Sequence, residues 1–192
     1  MGDFSKNAKI RWQDDGWLAD VNIVPSPNFN HRPIGEKPDL LVIHNISLPP
    51  GQFGTGCVER FFQNQLDSSE HPFFKEIEGV EVSAHFFIKR TGEVIQFVST
   101  EERAWHAGKS EFLGRENCND FSIGIEMEGT DDQAYEHAQY LSLVQVTKTL
   151  MMAYPNLTPQ RITGHSDIAP GRKTDPGAAF DWEYYRTLLA ED

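Results

Sequence analysis

Leu40-Leu41-Val42-Ile43-His44-Asn45 is an unbroken apolar run that ends on two polar residues. Pro38 precedes it and Pro49-Pro50-Gly51 follows it. A run of this length between turn formers reads as a short buried strand. Alternation puts Leu40, Val42 and His44 on one face and Leu41, Ile43 and Asn45 on the other. A polar ring therefore closes a buried strand at a sheet rim. On this strand alone, His44 reads either as a hydrogen-bonded core histidine or as a metal ligand.

A second strand, Ser122 to Glu128, alternates cleanly, with Ile123, Ile125 and Met127 opposite Ser122, Gly124, Glu126 and Glu128. Val82 to Ile88 and Val94 to Val98 flank Lys89-Arg90-Thr91-Gly92-Glu93 and read as a hairpin. Val58 to Leu66 reads as a short helix. A long helix is expected over 132–153, with Ala138, Leu141, Val144, Val146 and Leu150 on its apolar face and Pro155 ending it. Asp181 is placed to cap a last helix through Leu189. Pro25 to Asn28, His31 to Pro33 and Asp67 to Val80 read as loop. This order predicts an α/β fold, a central mixed β-sheet flanked by helices.

The 192 residues, 39% hydrophobic and 24% charged, fit one folded domain rather than a disordered chain. Residues 1–14 read as an N-terminal extension and 15–192 as the domain. A net charge of -12 repels nucleic acid and anionic membrane, so neither is expected as a partner. Met1 to Asp20 carries Asp3, Asp14 and Asp15 and no long apolar stretch, unlike a secretory signal. Nothing approaches the roughly 18 apolar residues of a membrane span. A cytoplasmic location is expected, with Cys57 and Cys118 as unpaired thiols. Nothing in the chain demands more than a monomer.

Potential metal ligands lie far apart. His165 and Asp175 sit in TGHSDIAPGRKTDPG, a polar segment long enough to fold back toward His44. Two histidines and a carboxylate fill three corners of a tetrahedron and leave the fourth for water, which suits metal-assisted hydrolysis better than a closed structural site. The same segment also reads as a surface loop with an N-capping Asp. Glu126 is the general-base candidate, and Glu128, on the same face, competes with it. Lys173, two residues before Asp175, could stabilise an oxyanion or serve as a surface cation. Trp105-His106 in RAWHAG suits a wall for a sugar or peptide, or core packing. His85 fits cleft or core.

The stretches LLVIHNISLPPGQFG, VSAHFFIKRTGEVIQFV, RAWHAG, CNDFSIGIEMEGTD and TGHSDIAPGRKTDPG resemble the amidase_2 and peptidoglycan-recognition family, in particular its bacterial cytosolic N-acetylmuramoyl-L-alanine amidases. The similarity runs from about Asp15 to Leu189. It implies a zinc amidase with one Zn2+ per chain, held by His44, His165 and Asp175. It also implies Glu126 as the catalytic carboxylate, Lys173 as its partner, and Asn45, Trp105 and His106 at the substrate. The implied substrate is a 1,6-anhydro-N-acetylmuramic acid carrying a stem peptide, cut between the lactyl group and L-alanine. In the family this recycles cell-wall fragments and lowers the signal that induces β-lactamase. Relatives that only bind peptidoglycan lose a metal ligand; here all three stand. Asn117 stands where close relatives can carry arginine and Glu81 where some members carry a basic residue; if those positions bind the peptide carboxylate, affinity or peptide preference differs here.

Overall fold

The computed structural model describes residues 10–191. In chain order the strands are β1 (Arg11–Trp12), β2 (Leu18–Ala19), β3 (Asn22–Ile23), β4 (Phe29–His31), β5 (Leu40–Ile46), β6 (Phe86–Ile88), β7 (Val94–Gln96), β8 (Glu102–Ala104), β9 (Glu111–Phe112), β10 (Arg115–Glu116), β11 (Ser122–Glu128) and β12 (Ile162–Gly164). The helices are α1 (Cys57–Phe62), α2 (Pro72–Glu76), α3 (His137–Ala153), α4 (His165–Ile168) and α5 (Trp182–Ala190). Six strands form the main sheet in the order β12-β5-β11-β6-β7-β3. All its pairings are parallel except the β6–β7 hairpin. The expected mixed sheet with flanking helices is what forms.

β5 and β11 lie side by side at the centre, and every residue of β11 is buried. One face of these strands, carrying Leu41, Ile43, Ile123, Ile125 and Met127, packs against α3 and α5. Each such aliphatic side chain removed from water stabilises the fold by about 1.5–3 kcal/mol. The other face carries Leu40 and Val42, which pack on Ala107, Cys118, Phe121 and Ile168. Farther along that face, Phe87 meets α1 and α2 through Val58, Phe61, Phe62 and Phe74. His44 and Glu126 therefore point away from the α3 layer, toward the loops.

α3 departs from expectation at its start and along its face. It begins at His137 because Glu136 and Gln139 form a capping box, with the Glu136 N–H donating to Gln139 Oε1 at 3.0 Å. Leu141 points outward, and the buried stripe runs through Gln139, Tyr140, Leu143, Thr147 and Leu150. Two members of that stripe are polar and hide it from a hydrophobic count. They are buried without cost because they are bonded: Gln139 Nε2 donates to the carbonyls of Glu128 and Ile88, and Thr147 Oγ1 pairs with Tyr185.

Two short elements lie in or beside stretches expected as loop. β4 pairs antiparallel with β8. α2 starts at Pro72 behind His71, whose Nδ1 accepts the Phe73 N–H at 3.1 Å. A helix of five residues is too short to show a period in sequence. α5 begins as expected, with Asp181 Oδ1 accepting the Tyr184 N–H at 2.8 Å. The boundary expected after residue 14 falls in the turn between β1 and β2, and Ile10 and Trp12 pack on the main core. Both cysteines are free and buried.

Candidate metal centre and cleft

The parallel register puts Glu126 directly beside His44, and Gly164 beside Ile43. The residue after Gly164 is His165, so the ends of three neighbouring strands deliver His44, Glu126 and His165 to one rim. Gly164 serves a close approach: a Cβ there would lie 2.9 Å from Pro176 Cδ. That packing, with the Ser166 N–H donating to Asp175 O at 3.0 Å, folds the 165–177 segment back onto α4. Asp175 is thereby carried to the histidines.

His44 Nδ1, His165 Nδ1 and Asp175 Oδ2 stand at the corners of a nearly equilateral triangle, with sides of 3.0, 3.0 and 3.1 Å. His44 and His165 are buried, and Asp175 is partly so. Ligands about 2.0–2.1 Å from a tetrahedral zinc lie about 3.3 Å apart, so this triangle is within a few tenths of an ångström of a ligand face. These residues form a group able to hold a metal ion. The distal nitrogens are engaged as metal-bound imidazoles require. His165 Nε2 donates to Ala107 O at 3.0 Å, and His44 Nε2 lies 2.8 Å from His106 Nδ1.

Electrostatics follow from burial. Desolvation lowers the His44 pKa to about 4, against the opposing pull of Asp175, so the ring is neutral and able to ligate. Burial alone would raise Asp175, but its hydrogen bonds to His165 and His44 hold it well below the usual carboxylate range. Glu126 is 8% exposed, and its Oε2 has no hydrogen-bond partner. Desolvation, then the Asp175 charge, raises its pKa well above the ordinary value, outweighing Lys173.

Glu128 separates from Glu126 by its partners. Both Glu128 oxygens accept backbone N–H groups, from Gly54 at 2.6 Å and Arg90 at 2.9 Å. It ties loops together, and its acceptor capacity toward them is spent. Glu126, which lines the cleft, keeps an unpartnered oxygen.

That cleft has a volume of about 790 Å³ and is lined by His44, Glu126, His165, Lys173 and Asp175, with Trp105 on its wall. Asn45 and His106 also line it. Lys173 is exposed. Asn45 Nδ2 donates to Asp131 Oδ1 at 2.8 Å and to Pro176 O at 3.1 Å, bracing the loop that carries Asp175. Trp105 Nε1 donates to Asn30 Oδ1 at 2.7 Å, which orients the ring. His85 belongs to the core: its Nδ1 accepts the Gly124 N–H, its Nε2 donates to Glu102 O, and burial lowers its pKa to about 3. Glu81 and Asn117 lie away from this cleft. Asn117 borders a second recess of about 520 Å³ that also touches Lys109 and Arg172.

Several supporting groups carry no signal in sequence. The Ala107 carbonyl accepts both His165 Nε2 and Arg172 Nη2. Asn119 Oδ1 accepts the backbone N–H groups of His106 and Ala107 at 3.1 and 2.8 Å. Half-buried Arg32 donates to the carbonyls of Thr100, Asn119, Asp120 and Ser122, fixing the entry to β11.

Residues 34–178 match the family model Amidase_2, described as N-acetylmuramoyl-L-alanine amidase. The chain is 53% identical over 179 residues to the 1,6-anhydro-N-acetylmuramyl-L-alanine amidase AmpD of Escherichia coli K12, covering 93% of this chain and 97% of that one. It is 56% identical over 176 residues to AmpD of Enterobacter cloacae, covering 92% and 94%. A crystal structure of a selenomethionine derivative of AmpD superposes with a TM-score of 0.90 at 52% identity, covering 93% of this chain and 99% of that one. AmpDh3 from Pseudomonas aeruginosa, in complex with anhydromuramic pentapeptide, superposes with a TM-score of 0.58 at 31% identity, covering 81% and 61%. With a ligand-like triangle at its sheet rim and these matches along most of its length, the chain belongs to the N-acetylmuramoyl-L-alanine amidase family, Amidase_2.

Proposed function

We propose that this protein hydrolyses the amide bond between the lactyl group of 1,6-anhydro-N-acetylmuramic acid and the L-alanine of its stem peptide. The observation that carries the reading is the triangle of His44, His165 and Asp175 beside a buried carboxylate oxygen without a partner, in a cleft large enough for a muropeptide. The AmpD relatives bear this activity in their names, and AmpDh3 holds an anhydromuramic pentapeptide.

His44, His165 and Asp175 hold one zinc ion per chain. Zinc bound there would supply Lewis acidity for hydrolysis. Glu126 takes the proton of the attacking water. Its raised proton affinity suits a group that must then return that proton to the L-alanine nitrogen as the C–N bond breaks. The Lys173 ammonium faces the same cleft and stabilises the negative charge that develops on the carbonyl oxygen. Trp105 offers an oriented aromatic wall to the sugar or peptide, with Asn45 and His106 completing the lining.

The protein acts as a monomer in the cytoplasm on released wall fragments, recycling them and lowering the muropeptide signal that induces β-lactamase. Its acidic surface disfavours nucleic acid and anionic membrane. No helix among the described residues is long and apolar enough to cross a membrane.

Hydrolysis of 1,6-anhydro-N-acetylmuramyl-tripeptide in ¹⁸O-water, read by mass spectrometry, tests this directly. The lactyl carboxylate should carry one ¹⁸O, and the released peptide should begin at L-alanine without label. Cleavage at another bond, or none, would overturn it.

A further inference from the structure

Both His106 ring nitrogens are engaged inside the protein. Nδ1 lies 2.8 Å from His44 Nε2, and Nε2 lies 3.0 Å from Ser122 Oγ. If His44 gives Nδ1 to a metal, its Nε2 bears the proton and must donate. His106 Nδ1 is then the acceptor, and the His106 Nε2–H donates onward to Ser122. One arrangement of protons satisfies the whole chain. The rings of His44 and His106 meet edge to face, with centroids 5.0 Å apart and planes 88° apart.

The seat of His106 is built into β11. Ser122, Gly124 and Glu126 share one strand face. The His106 ring lies on Gly124, where a Cβ would come within 2.5 Å of His106 Cγ and 2.6 Å of Nδ1. Contacts that short do not occur, so only glycine leaves room for the ring. The Gly124 N–H is fixed by His85, and the His106 backbone by Asn119. The next residue, Ala107, gives its carbonyl to His165. A single backbone step therefore supports both histidines of the triangle.

We propose that His106 is a positioning residue of the metal centre: seated on Gly124 and anchored by Ser122, it holds His44 in the Nε2–H tautomer and in the orientation that presents Nδ1 to the metal. This rests on the metal reading given above. Its role reaches the reaction through His44 and needs no contact between an imidazole nitrogen and substrate.

The test is zinc affinity, measured by competition with a chromogenic chelator on metal-stripped protein, together with the ¹⁵N shifts of His44 in the same samples once loaded with zinc, where Nδ1 no longer donates to Asp175. Wild type should bind one equivalent and show the Nε2–H tautomer. His106→Ala should bind zinc about 10- to 100-fold more weakly and show mixed tautomers at His44. His106→Asn, whose Oδ1 can take the place of Nδ1 as acceptor, should recover most of the affinity. Gly124→Ala should weaken zinc to a similar degree, and the double variant with His106→Ala should be no weaker than the single ones, since both remove the same support. Wild-type affinity and a single tautomer in His106→Ala would overturn the proposal, as would a folded His106→Asn no better than His106→Ala. Failure of the wild-type protein to bind zinc would instead bring down the metal reading, and this inference with it.

Discussion

Glu126 and His44 are register partners in adjacent parallel strands, on the face turned away from the α3 layer. A carboxylate and an imidazole are thus held at a fixed separation by a buried ladder of the sheet. Strands position such groups more rigidly than loops do, and both strands are braced by core on their opposite face. His165 and Asp175 arrive on a folded-back segment, which Asn45 and the Ser166–Asp175 backbone bond hold in place.

Glu126 is destabilising where it stands, because a buried carboxylate oxygen without a partner forfeits its solvation. Glu126→Gln should therefore retain zinc, lose about 10²-fold or more in kcat, and raise the melting temperature by a few degrees, about 2–4 °C for each kcal/mol gained. Calorimetry and steady-state kinetics on one preparation check both halves. A less active but equally stable variant would contradict the electrostatic account.

Glu128 predicts the opposite pattern. Removing its side chain strands the N–H groups of Gly54 and Arg90. Glu128→Ala should cost about 1–3 kcal/mol in urea unfolding, while kcat of the folded variant stays within about threefold of wild type. A large fall in kcat with unchanged stability would return Glu128 to the candidates for general base.

Lys173 is exposed and lines the cleft. Lys173→Met should lower kcat about a hundredfold with little change in melting temperature. Kinetics at saturating substrate distinguish this from a binding role, in which KM would rise and kcat would hold.

Acid should destabilise the zinc-free protein. The unfolded chain protonates its histidines near pH 6.5, whereas burial holds His44 to about 4, His85 to about 3, and His106 well below its ordinary value. Above that unfolded value neither state is protonated, and the stability is fully present. As the pH falls below it, the unfolded state takes up protons the native state refuses, and each histidine removes up to about 1.4 kcal/mol per pH unit. Glu126 works in the other sense: its raised native value means its contribution is greatest in acid and is lost as pH rises, offsetting part of the histidine slope. Melting temperatures between about pH 7 and 5 should fall. His85→Asn, which keeps an acceptor for the Gly124 N–H, should flatten the decline; a pH-independent melting temperature would contradict the burial argument.

The central strands were legible because their patterns are local. β5 opens on the unbroken apolar run Leu40 to Ile43, and β11 alternates without exception. The choice between Glu126 and Glu128 was not legible, because alternation puts both on one face and only their partners separate them. The outward turn of Leu141 and inward turn of Leu143 depend on Gln139 and Thr147, polar residues buried through bonds to distant carbonyls and a distant tyrosine. His44 stands 121 residues from His165 and 131 from Asp175, so no spacing motif joins them. Family resemblance joined them, and the support from Gly124 and Ala107 emerges only when the chain is folded.

Zinc titration of metal-stripped protein, with muropeptide cleavage followed in each sample, tests the central claim most directly. Cleavage should rise linearly, stop at one equivalent, and stay absent at every ratio in His165→Ala. Full cleavage by the stripped protein, or wild-type activity in His165→Ala, would contradict the assignment of His44, His165 and Asp175 as the catalytic metal site.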